Sequence, residues 1–81
     1  MRVTVLSFAR LREIVGDGRI VRDVPAGATV DTVWNALAAE FPGAAPFRPV
    51  LAVAVNARFS AFSAPVADGD EVAFLPPVAG G

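Results

Sequence analysis

The sequence contains no cysteine, histidine, lysine or tyrosine. Without cysteine there is no disulfide, thiolate nucleophile, persulfide or iron–sulfur ligand set. Without histidine there is no imidazole base and no metal site of the usual kind. The missing tyrosine and lysine also remove phenol chemistry and side-chain amine chemistry. An enzyme built from this chain alone would have to work with carboxylates and hydroxyls, so independent catalysis is disfavoured.

Charge of either sign is sparse and evenly spread. Seven arginines stand against eight acidic residues, and the formal net charge is −1. The arginines form no basic stripe, so a nucleic-acid partner is not expected. No run of eighteen apolar residues occurs, and the amino terminus lacks the apolar core and cleavage site of a signal peptide. These features predict a cytoplasmic protein without a membrane span.

No dinucleotide fingerprint, phosphate-binding loop or zinc-protease motif occurs, so we expect no cofactor and no metal bound by this chain. The 81 residues are enough for one domain with a modest core. Yet 54% of them are hydrophobic. Part of this apolar surface is expected to remain exposed and to meet a partner.

The apolar pattern predicts five strands, at residues 2–8, 19–24, 50–56, 58–62 and 71–75. Residues 9–15 can form a short helical turn, and residues 43–49 are predicted as a loop. The run 50–56 is apolar throughout, which is typical of an inner strand covered on both faces. Asp68-Gly69-Asp70 is a tight-turn signal just before the last strand.

One main helix is predicted after Thr29. Thr29 or Asp31 can cap it, and Pro42-Gly43 ends it. Its apolar side chains recur at helical spacing and form one stripe: Val30, Val33, Trp34, Leu37, Ala38 and Phe41. Trp34 lies in the middle of the stripe, so it is interpreted as a core residue rather than a ligand-stacking one.

The order of elements predicts an α+β fold of the β-grasp, or ubiquitin-like, kind: a mixed sheet with one main helix on one face. The domain would span residues 1–75, with its first and last strands side by side, and an extended tail would span 76–81. Alternation along the strands points one apolar set at the helix (Val3, Val5, Val72, Phe74). A second set points away from it (Leu6, Phe8, Ala73, Leu75), and Phe59 can join that set.

The last eight residues are FLPPVAGG, residues 74–81. Pro76-Pro77 favours a stiff, extended spacer, whereas Gly80-Gly81 carries no Cβ and suits a narrow channel. Six extended residues reach about 20 Å. A terminal glycine carboxylate is unhindered and suited to attack on the α-phosphate of ATP. This tail is therefore the candidate reactive group, although a frayed end is the simpler interpretation.

The block DGDEVAFLPPVAGG (68–81) resembles the carboxyl-terminal signature of the MoaD family, the small sulfur-carrier subunit of molybdopterin synthase. FARLRE (8–13), VAVN (53–56), the length and the strand order are similar to that family as well. The resemblance implies that the Gly81 carboxylate is adenylated, becomes a thiocarboxylate, and donates sulfur to cyclic pyranopterin monophosphate. Gly80 would provide clearance in the partners' channels. The chain would act as the sulfur-donating subunit of a sulfurtransferase and would not be catalytic alone.

The resemblance also implies partners. They are the large subunit of molybdopterin synthase, in a heterotetramer of two small and two large chains, a ubiquitin-activating-like adenylyltransferase that uses ATP, and a sulfur donor. The expected partner-binding residues are Phe8, Phe59, Leu75, Pro76, Pro77 and Val78.

Three alternatives remain open from the residues. The chain could be the sulfur carrier of thiamine synthesis, a ubiquitin-like modifier conjugated through Gly81, or a plain interaction module with a frayed tail. The acidic stretch Asp68–Glu71 could dock on an activating enzyme or serve only as a turn and a solvated strand end.

Overall fold

The computed structural model describes residues 1–77; residues 78–81 lie outside the described part of the chain. Five strands form one sheet: β1 (Arg2–Ser7), β2 (Arg19–Asp23), β3 (Ala52–Val55), β4 (Arg58–Ser60) and β5 (Glu71–Leu75). Helix α1 spans Ala9–Val15, helix α2 spans Val30–Glu40, and a 3-10 helix spans Pro42–Val50. Within residues 1–77, no helix has both the length and the apolar character that crossing a membrane would require.

The strand order across the sheet is β2-β1-β5-β3-β4. The first and last strands pair in parallel, from Thr4 opposite Glu71 to Ser7 opposite Phe74. The neighbouring pairs β1–β2, β5–β3 and β3–β4 are antiparallel. The predicted β-grasp layout, with β1 and β5 side by side, is therefore confirmed. The chain leaves β5 from the centre of the sheet.

Helix α2 begins where a capping box satisfies its free amides. The Thr32 backbone N–H donates to Thr29 Oγ1 at 3.3 Å, and the Thr29 N–H donates to Thr32 Oγ1 at 3.1 Å. Thr29 is thus the cap, whereas Asp31 instead accepts from Arg48 Nη2 at 3.2 Å. At the other end, Glu40 Oε2 accepts from Arg22 Nε at 2.8 Å, which ties the helix to β2.

The core lies between α2 and one face of the sheet. Val3, Val5, Val72 and Phe74 are each at most 1% exposed, as alternation predicts. The Trp34 ring packs edge-on against the Phe74 ring, with centroids 5.0 Å apart. The Phe62 ring stacks on the Phe74 ring, with centroids 6.2 Å apart. Trp34 is 2% exposed, so its assignment to the core is confirmed.

Two predictions about the middle of the chain are wrong: the loop at residues 43–49 and the strand bounds 50–56. Residues 43–49 are not a loop but part of the 3-10 helix Pro42–Val50. Pro42 has the φ angle suited to a first helical turn, whereas Pro46 and Pro49 lack the N–H that a continuous α-helix would use. Consequently β3 begins only at Ala52.

Strand β3 is an inner strand, as predicted, but the prediction that both of its faces are covered is wrong. Val53 belongs to the core under α2, whereas Ala54 lies on the opposite face of the sheet and lines a groove. The continuous apolar run therefore reflects a strand whose second face belongs to that groove.

The predicted turn before β5 is present and is joined to the β3–β4 hairpin by side chains. Asn56 Nδ2 donates to Asp70 Oδ1 at 2.9 Å, and Asn56 Oδ1 accepts from the Glu71 N–H at 2.9 Å. Asp70 Oδ2 also accepts from the Ala67 N–H at 2.8 Å. One carboxylate thus connects the turn at residues 67–70 with the hairpin at Asn56.

This network predicts an acid-sensitive contribution to folding. The Ala67 N–H and the Asn56 amide hold the pKa of Asp70 below its ordinary value of 3.8. Because the lowered pKa favours the ionised form, the contribution is complete above pH 3.8 and is lost as the pH falls through the lowered value.

Asp70→Asn should lower the free energy of unfolding near neutral pH by about 1 kcal/mol or less. Urea titrations at about pH 6 and about pH 3 would show a smaller acid loss in this variant. Glu13→Gln, at an exposed residue of α1, is the control and should lose as much stability in acid as the unaltered chain. An equally large acid loss in Asp70→Asn would contradict the prediction.

Candidate interaction surface and tail

The face of the sheet opposite α2 carries an apolar groove of about 290 Å³. One row of paired residues crosses four strands at its floor. Phe59 on β4 lies opposite Ala54 on β3, Ala54 lies opposite Ala73 on β5, and Ala73 lies opposite Leu6 on β1. Small side chains in the middle of this row, with larger ones at its ends, produce a depression. The groove is lined by Leu6, Phe8, Ala54, Ala57, Phe59, Glu71, Ala73 and Leu75.

The structure brings together three of the predicted partner-binding residues, Phe8, Phe59 and Leu75. Phe59 is 84% exposed on the edge strand β4, and Phe8 is 43% exposed between β1 and α1. Leu75 is half-buried at the end of β5. Single exposed apolar side chains scattered over a surface need no explanation. Several that share one groove instead indicate a contact surface.

The groove lies beside the point where the chain leaves the sheet. Leu75 ends β5 and lines the groove, Pro76 is half-buried, and Pro77 is exposed. Because proline cannot donate to a strand ladder, the pair at 76–77 ends the pairing at the carboxyl end of β5. The remaining predicted site residues, Val78, Gly80 and Gly81, lie outside the described residues.

Of the eight described residues that line the groove, Glu71 alone is charged. Glu71 Oε2 accepts from Arg19 Nη1 at 2.9 Å, and both side chains are exposed. Asp68 Oδ1 accepts from the Arg2 N–H at 2.6 Å, and Asp70 belongs to the turn network. Each acidic side chain of the stretch 68–71 therefore has a hydrogen-bond partner within this chain. Among residues 1–77, no cluster of acidic side chains is arranged to hold a metal ion.

Three residues of the groove were not predicted from the sequence. Ala54 could have been found by alternation, once its register with Phe59 and Ala73 was known. Ala57 reaches the groove only through the geometry of the β3–β4 turn, whereas Glu71 shares a face of β5 with Ala73 and Leu75 by alternation. Alternation could therefore have found Glu71, whereas Ala57 carries no sequence signal of its own.

A five-stranded mixed sheet with one main helix on one face, a groove on the other face and an exit from the central strand defines a ubiquitin-like β-grasp domain. The ThiS family model matches residues 5–81 of this chain. The chain belongs to the ThiS family.

Curated relatives cover nearly the whole chain. The molybdopterin synthase sulfur carrier subunit of Escherichia coli K12 is 40% identical over 83 residues, covering 98% of this chain and 99% of the relative. The subunit of the same name from Arabidopsis thaliana is 33% identical, covering 100% of this chain and 84% of the relative. Small archaeal modifier protein 3 of Haloferax volcanii is 35% identical, with 100% of both chains covered.

Solved structures agree with this fold. SAMP1 from Haloferax volcanii has a TM-score of 0.87 and 30% identity, with 100% of both chains covered. A complex of subunits 1 and 2 of molybdopterin-converting factor from Helicobacter pylori has a TM-score of 0.69 and 26% identity, again with 100% of both chains covered.

Proposed function

We propose that this chain is the sulfur-carrier subunit of a molybdopterin synthase. Curated relatives with that name cover at least 98% of this chain at 33–40% identity. The observation that carries the proposal is the convergence of Phe8, Phe59 and Leu75 on one groove at the carboxyl end of β5. A carrier needs this arrangement, because the surface that docks must lie next to the group that is delivered.

The proposed chemistry takes place at Gly81. A carboxylate oxygen attacks the α-phosphorus of ATP on an adenylyltransferase, which forms an acyl-adenylate and releases pyrophosphate. A donor of sulfur at the sulfide level then attacks the acyl carbon and displaces AMP, which leaves a thiocarboxylate. Its sulfur is transferred to cyclic pyranopterin monophosphate, and hydrolysis of the acyl carbon by water restores the Gly81 carboxylate. Two such transfers complete the dithiolene. The composition supports this route, because a chain without cysteine has no thiol on which to carry sulfur.

The proposed docking surface takes the large subunit of the synthase. Phe59 and Phe8 supply exposed aromatic area, and aromatic residues are enriched among the residues that dominate binding energy. The alanine floor of the groove leaves room for an apolar side chain of the partner. Pro76, Pro77 and Val78 would continue the contact along the tail, and Gly80 would give clearance for Gly81. A heterotetramer of two small and two large chains and a cytoplasmic location complete the proposal.

The test is sulfur loading followed by transfer. We expect the purified chain, incubated with an adenylyltransferase of the molybdopterin pathway, ATP and a sulfur donor, to gain the mass of one oxygen-to-sulfur exchange. Adding the large subunit and cyclic pyranopterin monophosphate should return the original mass and produce molybdopterin. An unmodified chain, under conditions that load a known carrier, would contradict the proposal. Loading without transfer to this acceptor would favour the thiamine-pathway alternative.

A protein modifier is the second candidate, because small archaeal modifier protein 3 is 35% identical along the full length of both chains. In that case the carboxyl group of Gly81 would form an amide with a lysine of a target protein. Conjugates of higher mass, detected with an antibody to this chain and lost when Gly81 is deleted, would support this candidate.

A further inference from the structure

The turn between β3 and β4 has an unusual backbone. Only two residues, Asn56 and Ala57, connect the strands, and their φ angles are +49° and +67°. Positive φ at both central residues is the pattern of a type I′ hairpin turn, which prefers Asn-Gly. Asparagine tolerates this region, whereas alanine pays a penalty because its Cβ approaches the carbonyl oxygen. Ala57 is therefore a strained residue at a position where glycine would be unstrained.

Hydrogen bonds outside the turn hold it in this conformation. The Asn56 N–H donates to the Glu71 carbonyl oxygen at 2.8 Å. The Asn56 side chain accepts from the Glu71 N–H and donates to Asp70, each at 2.9 Å. Three bonds from one residue fasten the turn to the start of β5, and strain of this kind persists where the surroundings over-determine the backbone.

The strained turn shapes the groove. Ala57 lines it, and Phe59, two residues further on, forms one end of its floor row while remaining 84% exposed. Glycine at position 57 would remove the Cβ from the groove wall and widen the conformational range of the hairpin that carries Phe59. A residue kept in a strained conformation beside a contact surface points to a role in that contact.

We propose that Ala57 is a positioning residue for the large-subunit contact: its strained conformation presents its own methyl group and aims Phe59 at the partner. This inference rests on the proposed function, since it deepens the role of the same groove. It also explains why the favoured Asn-Gly sequence is not used here.

The test compares binding with stability in three variants. For Ala57→Gly, calorimetric titration with the large subunit should give a roughly tenfold weaker Kd, from one lost methyl contact and a less ordered hairpin. Its melting temperature should stay equal to that of the unaltered chain or rise, because glycine relieves the strain. Ala61→Gly, at an exposed alanine absent from the groove, is the matched control and should leave Kd unchanged. Phe59→Ala reports on the docking surface itself.

Separate outcomes overturn separate claims. If Phe59→Ala weakens binding but Ala57→Gly does not, the positioning role is wrong and the docking surface stands. A fall in both the melting temperature and the affinity of Ala57→Gly would show a merely structural role and would also overturn the inference. If Phe59→Ala leaves Kd unchanged, the docking surface of the proposed function is wrong, and the inference falls with it.

Discussion

Deleting Gly81 should abolish sulfur loading and leave the folded domain unchanged. The activating enzyme would still meet a carboxylate on the shortened chain, but that carboxylate belongs to Gly80 and reaches about 3.3 Å less far. An attacking oxygen placed even 1 Å out of line costs about 100-fold in rate, so the shortened tail should show no detectable thiocarboxylate by intact mass. Gly81→Ala, which keeps the length and adds one Cβ, should load at an intermediate rate because the added Cβ reduces the clearance.

Folding is the control for this deletion. The buried residues of the described chain run from Val3 to Phe74, so the deletion removes no part of that core. Thermal melts of the deleted and complete chains should coincide. A melting temperature lowered by several degrees would mean that the tail stabilises the fold, and it would contradict the proposal that the tail serves only to deliver sulfur. Loading of the deleted chain at the full rate would contradict the requirement for Gly81.

Replacing Phe74 with alanine should lower the free energy of unfolding by about 3–5 kcal/mol. Phe74 is fully buried, and it contacts both Trp34 and Phe62 in the core. A domain of this size has a total stability of about 4–12 kcal/mol. The variant should therefore lose a large fraction of its stability, and urea titration followed by circular dichroism should place its midpoint at a clearly lower urea concentration.

Phe59→Ala is the matched control for this core variant. The two phenylalanines lie on opposite faces of the same sheet, and Phe59 is 84% exposed where Phe74 is 0% exposed. Removing an exposed ring should change the stability by no more than about 0.5 kcal/mol. Equal losses of stability in the two variants would contradict the division of the sheet into a core face and a contact face.

Alternation and helical spacing predicted most of this fold. They placed α2 after Thr29, put Trp34 in the core and separated Val72 and Phe74 from Ala73 and Leu75. These patterns are readable because side-chain direction along one strand or helix depends only on local backbone geometry. The 3-10 helix at Pro42–Val50 was missed, since a segment with three prolines carries the signal of a loop.

The groove was predicted in part. Phe8, Phe59 and Leu75 were assigned to one face, and all three line the groove. Ala54, Ala57 and Glu71 were not assigned, because alanine carries no distinctive signal and Glu71 resembles a solvated strand end. Their proximity depends on how β3, β4 and β5 are aligned, and that alignment is a long-range property.

Composition and local pattern thus established the chemical limits of this protein: no thiol, imidazole or lysine side chain, and a glycine tail after a proline pair. They also established which side chains share a face within each strand. The strand order, the row from Phe59 to Leu6 and the strained turn at Asn56-Ala57 followed from the folded chain. The physical reason is that hydrogen bonds between distant strands set the register, and a slip of one residue would turn Val72 and Phe74 away from the core under α2.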